Sequence, residues 1–327
     1  MGVLTKHSIN PTFFNNSAMR AFLFPGQGSQ YVGMGRQTYI SNGIVRDICD
    51  RADDVLGCQL TGIMFEGPDD ELRQTRNAQP AIFLHSYAIY QLLNNPRPDM
   101  VAGHSLGEYT ALAVANALTF DDALRLVQLR GAAMQEAGEQ QPGTMAAIIG
   151  LDDEKVATIC HDVCQEIGVV QPANFNSPGQ LVVSGTPEAV AETMKRAKEA
   201  GAKLAKQLNV SGAFHSPLME PARQRLAQAL ENTPIRDAEI PVYVNVSAQA
   251  VTLAAEIRAA LLAQLTAPVR WTESAQNMAA AGANRFVEVG PGTVLQGLVK
   301  RILPGSDVAS IEHQGQIDEF NANTTEA

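Results

Sequence analysis

The chain has 327 residues, 45% of them hydrophobic and 18% charged, with a formal net charge of -10. That is enough apolar chain for one large domain or two linked ones, and a uniformly acidic protein is a poor general binder of nucleic acid, so small molecules or other proteins are the expected partners. No apolar run approaches a membrane span, and Cys49, Cys58, Cys160 and Cys164 form neither a paired zinc motif nor a disulfide framework, so no metal and no membrane are expected and a reducing cytoplasm is the expected setting.

In chain order, residues 1–19 are polar and read as a flexible extension. AFLF at 21–24 is a short apolar run stopped by Pro25 and Gly26, which fits a buried strand entering a loop. Residues 36–56 and 78–93 have helical spacing, and MVAG at 100–103 reads as a second buried strand. It runs into HSLGEYTALAVANAL, which has helical spacing and small residues. Thr119 and Asp122 form a capping-box pattern that opens a further helix to about Glu136. This alternation of strand, turn and helix predicts a parallel α/β core.

The pattern changes after QPG at 141–143. TMAAIIG, VVQPANF, QLVVSG and AKLAKQLNV read as strands, and the segments after the first and third read as helices. The order β-α-β-β-α-β predicts a ferredoxin-like unit over 141–210, inserted in an α/β-hydrolase-like core made of 20–140 and 211–312. PVYVNV (241–246) and RFVEVG (285–290) continue the core as strands, each followed by a helix, and residues 313–327 read as a flexible tail.

Gly-His-Ser-Leu-Gly at 103–107 is a G-x-S-x-G sequence between a predicted strand and a predicted helix. In that context a sharp turn presents the serine hydroxyl, and the helix aims free N–H groups and its positive end at the same place. Serine needs a base at neutral pH. Of six histidines, His7 and His313 lie in the ends, His85 and His161 lie within helices, and His104 adjoins the serine but should point elsewhere. Elimination leaves His215, in the loop VSGAFHSP. No acid between 105 and 215 makes a convincing third member, so a Ser–His dyad with a neutral acceptor behind the imidazole is expected.

Two further features stay open between a functional and a structural reading. The loop PGQGSQ (25–30) could supply an oxyanion donor to join the N–H of Leu106, or be a plain turn. Arg130 falls inside the apolar stripe Ala123, Leu126, Val127, Ala133 and Met134. It would there grip an anionic substrate group in two-pronged fashion, or be a snorkelling or ion-paired structural residue.

Seven segments together, FPGQGSQYVGMG, GHSLGEYTALAVANAL, LVQLRGAAMQ, NFNSPGQLVVSG, GAFHSPLM, LTAPVRW and FVEVGPGTVLQGLVKR, resemble the malonyl-CoA:acyl carrier protein transacylases and the acyltransferases of polyketide synthases, in family order over about residues 20–302. The resemblance implies ping-pong transfer of a malonyl group from malonyl-CoA to an acyl carrier protein without a cofactor. It implies Ser105 as nucleophile, His215 as base, the N–H groups of Gln27 and Leu106 as oxyanion hole and Arg130 as partner of the malonyl carboxylate. Gln264 would orient the histidine through its backbone carbonyl. Asn176 would line the cleft, and the bulk of Phe214 would select malonyl over methylmalonyl. GAFHSPLM and NFNSPGQ look like the free-standing branch that serves polyketide synthases. A monomer is expected, with Lys203, Lys206, Arg223 and Arg225 as a patch for the carrier protein. The alternatives are an acyl hydrolase of the same fold and a non-catalytic docking domain.

Overall fold

A computed structural model describes residues 19–325. The elements follow as β1 (Met19–Phe24), α1 (Arg36–Ser41), α2 (Gly43–Leu56), α3 (Leu60–Glu66), α4 (Asp69–Arg73), α5 (Thr75–Gln91), β2 (Met100–Gly103), α6 (Gly107–Val114) and α7 (Phe120–Gln140). Then come β3 (Thr144–Ile149), α8 (Asp153–Glu166), β4 (Val170–Ser177), β5 (Gln180–Gly185), α9 (Pro187–Glu199) and β6 (Leu204–Gln207). The rest are α10 (Glu220–Asn232), β7 (Val242–Tyr243), β8 (Ala250–Val251), α11 (Ala254–Gln264), α12 (Trp271–Ala280), β9 (Ala283–Val289), α13 (Val294–Ile302), β10 (Asp307–Ile311) and α14 (Gln314–Thr325).

The first sheet has the order β10-β9-β1-β2-β7-β8. Every pair in it is parallel except the β7–β8 hairpin. Ala21 to Phe24 of β1 are fully buried, as expected for a strand covered on both faces. Their alternation divides the core. Phe22 and Phe24 join the cluster under α5, α6 and α7, while Ala21 and Leu23 join the one with Trp271, Phe286 and Leu298 under α12 and α13.

The second sheet is antiparallel with the order β4-β5-β3-β6. Ala146, Ile148, Leu181 and Val183 pack with α8 and α9 on one face. Met145 and Val182 turn the other way, towards the first layer. A seam ties the two layers: the Phe175 amide donates to the Val269 carbonyl at 2.9 Å, the Val269 amide to the Ala173 carbonyl at 2.8 Å, and Thr272 Oγ1 to the Phe175 carbonyl at 3.0 Å.

Thr119 caps α7, its Oγ1 accepting from the Asp122 amide at 3.1 Å, while the Asp122 carboxylate accepts from the Thr119 hydroxyl at 2.7 Å rather than from its amide as a full capping box would have it. Helical spacing over 36–56 resolves into two helices because Asn42 caps α2, its Oδ1 accepting from the amides of Ile44 and Val45. The strand expected over 241–246 pairs only at Val242 and Tyr243, and β8 follows it before any helix. The chain leaves the sheet there because Asn245 is drawn off by Gly103, Ser105 and Glu108. The strand expected over 202–210 forms only at 204–207. The expectation of a flexible tail over 313–327 is corrected: Gln314–Thr325 is helix, and Ile317 and Phe320 are buried in the main cluster. The core therefore continues past 312. The extension expected over 1–19 lies outside the described residues save Met19, which opens β1.

Phe320 meets the Phe22 ring edge-on, centroids 6.1 Å apart. Phe320→Ala should lower unfolding stability by about 3 kcal/mol, as aromatic truncation in a core does. Urea denaturation measures this; an unchanged midpoint would mean the tail does not dock.

Candidate active site

The site begins at the end of β2. Ser105 has φ 52, in the left-handed region, and Leu106 stands as N-cap of α6. The flanking glycines are required by packing: a Cβ on Gly103 would lie 1.8 Å from the Gly107 carbonyl carbon, and one on Gly107 would lie 2.0 Å from the Phe24 carbonyl oxygen. A serine held in this backbone needs a surrounding that leaves it no alternative. Its amide donates to Asn245 Oδ1 at 2.7 Å, and its carbonyl accepts from Gln264 Nε2 at 3.0 Å. Asn245 is itself fixed, Nδ2 donating to the Gly103 carbonyl and its amide to Glu108 Oε2, each at 2.7 Å.

His215 Nε2 lies 2.8 Å from Ser105 Oγ. The other ring nitrogen, Nδ1, lies 2.9 Å from the Gln264 carbonyl and 3.2 Å from that of Ala267. Carbonyls only accept, so the proton belongs on Nδ1, and Nε2 is left to accept the serine proton. Burial, with the positive charge of Arg130 next, pushes the His215 pKa down to about 3. The imidazole is thus neutral at physiological pH, and backbone carbonyls stand where a triad would have its acid.

Arg130 is fully buried on α7. Its Nη1 donates to Gln79 Oε1 at 2.7 Å, and its Nη2 donates to Gln264 Oε1 at 2.9 Å and to Ser105 Oγ at 3.0 Å. The guanidinium carbon sits 5.6 Å from the Tyr109 ring centre. Complete burial rules out snorkelling, and among the described residues no ion pair includes Arg130. Buried Glu108 bears on its charge, but burial pushes that carboxyl up to about 7. A buried cation without an ion-pair partner, one nitrogen against the nucleophile, is suited to an incoming anion.

A cavity of 310 Å³ opens in front of Ser105 and His215, between the two layers. Gln27, Asn176 and Phe214 line it; Arg130 does not, and meets it only through its bond to Ser105 Oγ. The Gln27 side chain donates to Thr75 Oγ1 at 3.2 Å, which pins its loop. The Leu106 amide is among those that a helix start leaves without an intrahelical partner. Asn176 Oδ1 is 2.8 Å from His104 Nε2, so it serves the neighbouring histidine rather than the dyad. In the expected basic patch, Arg223 pairs with Glu220 and Arg225 with Glu136. Lys203 and Lys206 are exposed and enter no ion pair among the described residues.

The residues alone did not reveal Asn245, Glu108, Gln79 or the Gln264 side chain. Glu108 had a signal, being the one acid in an otherwise small and apolar helix, and Asn245 is a polar residue in an apolar run. Among the described residues no cluster of His, Cys, Asp and Glu could hold a metal, and no helix is long and apolar enough to cross a membrane.

An elbow serine facing a neutral histidine, with the helix-start amide of Leu106 beside it, defines a class: α/β enzymes that work through a serine nucleophile. Residues 21–324 match the family described as acyl transferase domain, and the chain belongs to that family. A malonyl CoA-acyl carrier protein transacylase of Bacillus subtilis (strain 168) is 46% identical over 284 residues, which are 86% of this chain and 90% of the relative. The solved malonyl CoA-acyl carrier protein transacylase of Coxiella burnetii superposes with a TM-score of 0.89 at 41% identity, covering 92% of this chain and 97% of that one. A solved complex of a type II PKS acyl-carrier protein with its malonyl-transacylase gives a TM-score of 0.89 at 41% identity, covering 94% of this chain and 100% of that one.

The depressed His215 pKa fixes a sign. The base is lost only when pH falls through its folded value, well below the ordinary 6.5. The rate of serine acylation should show no acid limb near pH 6.5. Stopped-flow acylation between pH 5 and 8 checks this; a limb at 6.5 would mean a solvent-exposed imidazole.

Proposed function

We propose that this protein moves a malonyl group from malonyl-CoA to the phosphopantetheine thiol of an acyl carrier protein through an ester on Ser105. Ser105 Oγ attacks the thioester carbonyl while His215 Nε2 takes its proton. The oxyanion rests on the N–H groups of Gln27 and Leu106. The tetrahedral intermediate collapses, and the CoA thiolate leaves with the proton from Nε2. In the second half the carrier thiol gives its proton to Nε2 and attacks the ester, and Ser105 recovers the proton as it leaves. Gln264 holds the imidazole in the productive tautomer through its backbone carbonyl.

The observation that carries this reading is Arg130, buried, in no ion pair among the described residues and 3.0 Å from the nucleophile. A malonyl carboxylate would supply this guanidinium with a direct ion-pair partner, and binding it would place the reacting carbonyl at Ser105. An acyl hydrolase of the same fold would gain nothing from that charge. The Bacillus subtilis relative is named for malonyl CoA and acyl carrier protein, and the solved complex pairs a malonyl-transacylase with a type II PKS acyl-carrier protein. Phe214, at the cavity wall, would crowd an α-methyl group. Asn176 would shape the cleft through His104.

The finer fold reading belongs to the same proposal. The strand order β4-β5-β3-β6 with two helices on one face supports a ferredoxin-like subdomain over 141–210. The remainder, from β1 through α14, is an α/β-hydrolase-like core. The protein would act in the cytoplasm as a monomer, with no cofactor.

Intact-mass measurement after mixing with malonyl-CoA, methylmalonyl-CoA and acetyl-CoA in competition tests the reading. One malonyl adduct per chain, absent in Ser105→Ala and discharged by a carrier protein, is expected. Rapid acetyl-CoA hydrolysis with no stable malonyl adduct would overturn it in favour of a hydrolase.

A further inference from the structure

His215 has its own positive φ of 57, so its loop is not in a relaxed conformation. Something must hold the base-bearing segment against the turn 264–267 that carries its two carbonyl acceptors. Gln171, on β4 of the second sheet, does so with one amide group. Its Nε2 donates to the His215 carbonyl at 2.8 Å and to the Thr266 carbonyl at 3.2 Å. Apart from the bonds of the imidazole itself, these are the only hydrogen bonds linking the two segments among the described residues. Gln171 is half-buried, and it does not line the cavity.

We infer that Gln171 is a positioning residue for the base, through which the antiparallel layer sets where His215 Nε2 meets Ser105. The chemistry suits glutamine. A primary amide offers two N–H donors, one for each carbonyl. Glutamate at the same place would offer none and would set a carboxylate against two carbonyl oxygens. The β4 backbone is itself anchored to the first layer through Ala173, Phe175 and Val269, so the clamp is mounted on a fixed support. Consequently the second layer does more than wall the cavity: it holds the dyad in register. The charged and titratable groups facing His215 are Arg130 from α7 and His104 from the elbow. Neither is touched by Gln171, so a change at 171 reaches the imidazole through its position alone.

This inference rests on the assignment of Ser105 and His215, and its test separates the two. Acylation by malonyl-CoA is followed in the wild type, Gln171→Glu, Gln171→Leu and Thr272→Val, recording final adduct stoichiometry, rate constant, KM and pH profile. Thr272→Val removes a side-chain bond between the layers without touching the base, and serves as the structural control. Both Gln171 variants should reach full adduct stoichiometry with a rate constant roughly 10- to 100-fold lower, since misplacement by about an ångström has that effect. KM should be unchanged. An acid limb should appear towards the ordinary histidine range of about 6.5 as water reaches the ring. Thr272→Val should keep the wild-type rate and profile. Wild-type rate and pH profile in Gln171→Leu, or equal changes in Thr272→Val, would overturn the positioning role. Absence of any adduct on the wild type would overturn the Ser105 assignment and this inference with it.

Discussion

Everything in this site depends on Ser105 being held at φ 52 with its hydroxyl between an imidazole and a guanidinium. A serine does not choose that backbone. Two glycines make the turn sterically open, and two amide side chains, Asn245 and Gln264, take up the serine's own N–H and C=O. Because Asn245 comes from the end of β7 and Gln264 from the end of α11, the elbow is locked by parts of the chain well over a hundred residues away. The parallel sheet is what brings those ends together, since the loops that follow β1, β2 and β7 share one edge.

The second constraint is charge. Burying Arg130 with no ion pair among the described residues is expensive, and neutral acceptors such as Gln79 and Gln264 offset only part of it. The fold tolerates the deficit where a carboxylate-bearing acyl group would make it good. The same guanidinium, together with burial, keeps His215 neutral. In the proposed reaction one residue would thereby serve acyl selection and keep the base available. Gln264 links both, its backbone carbonyl on the imidazole and its side chain between Arg130 and Ser105.

Much of this was legible in the sequence because it is local. The strand–turn–helix context of residues 100–118 located the elbow, and the stripe on 120–136 flagged Arg130 as an arginine on a buried face. His215 emerged by elimination. What was not legible depends on distant contact: Asn245 reads as an apolar strand with one polar residue, and nothing local marks Gln171 as a clamp. The tail reads as flexible because HQGQIDEFNANTTEA has only Ile317 and Phe320 as large apolar residues. Three residues apart, that pair forms a single helical anchor, and its value appears only when Phe22 is there to receive it.

In the proposed function a buried guanidinium, in no ion pair among the described residues, converts a general Ser–His dyad into one for dicarboxylic acyl groups. The most direct measurement is the ratio of malonyl to acetyl transfer rates, as kcat/KM, in the wild type and in Arg130→Ala. Loss of a charge-assisted contact to the substrate should lower malonyl transfer roughly 10- to 100-fold more than acetyl transfer. Equal losses for the two substrates would contradict the account, leaving Arg130 as a support for the serine alone.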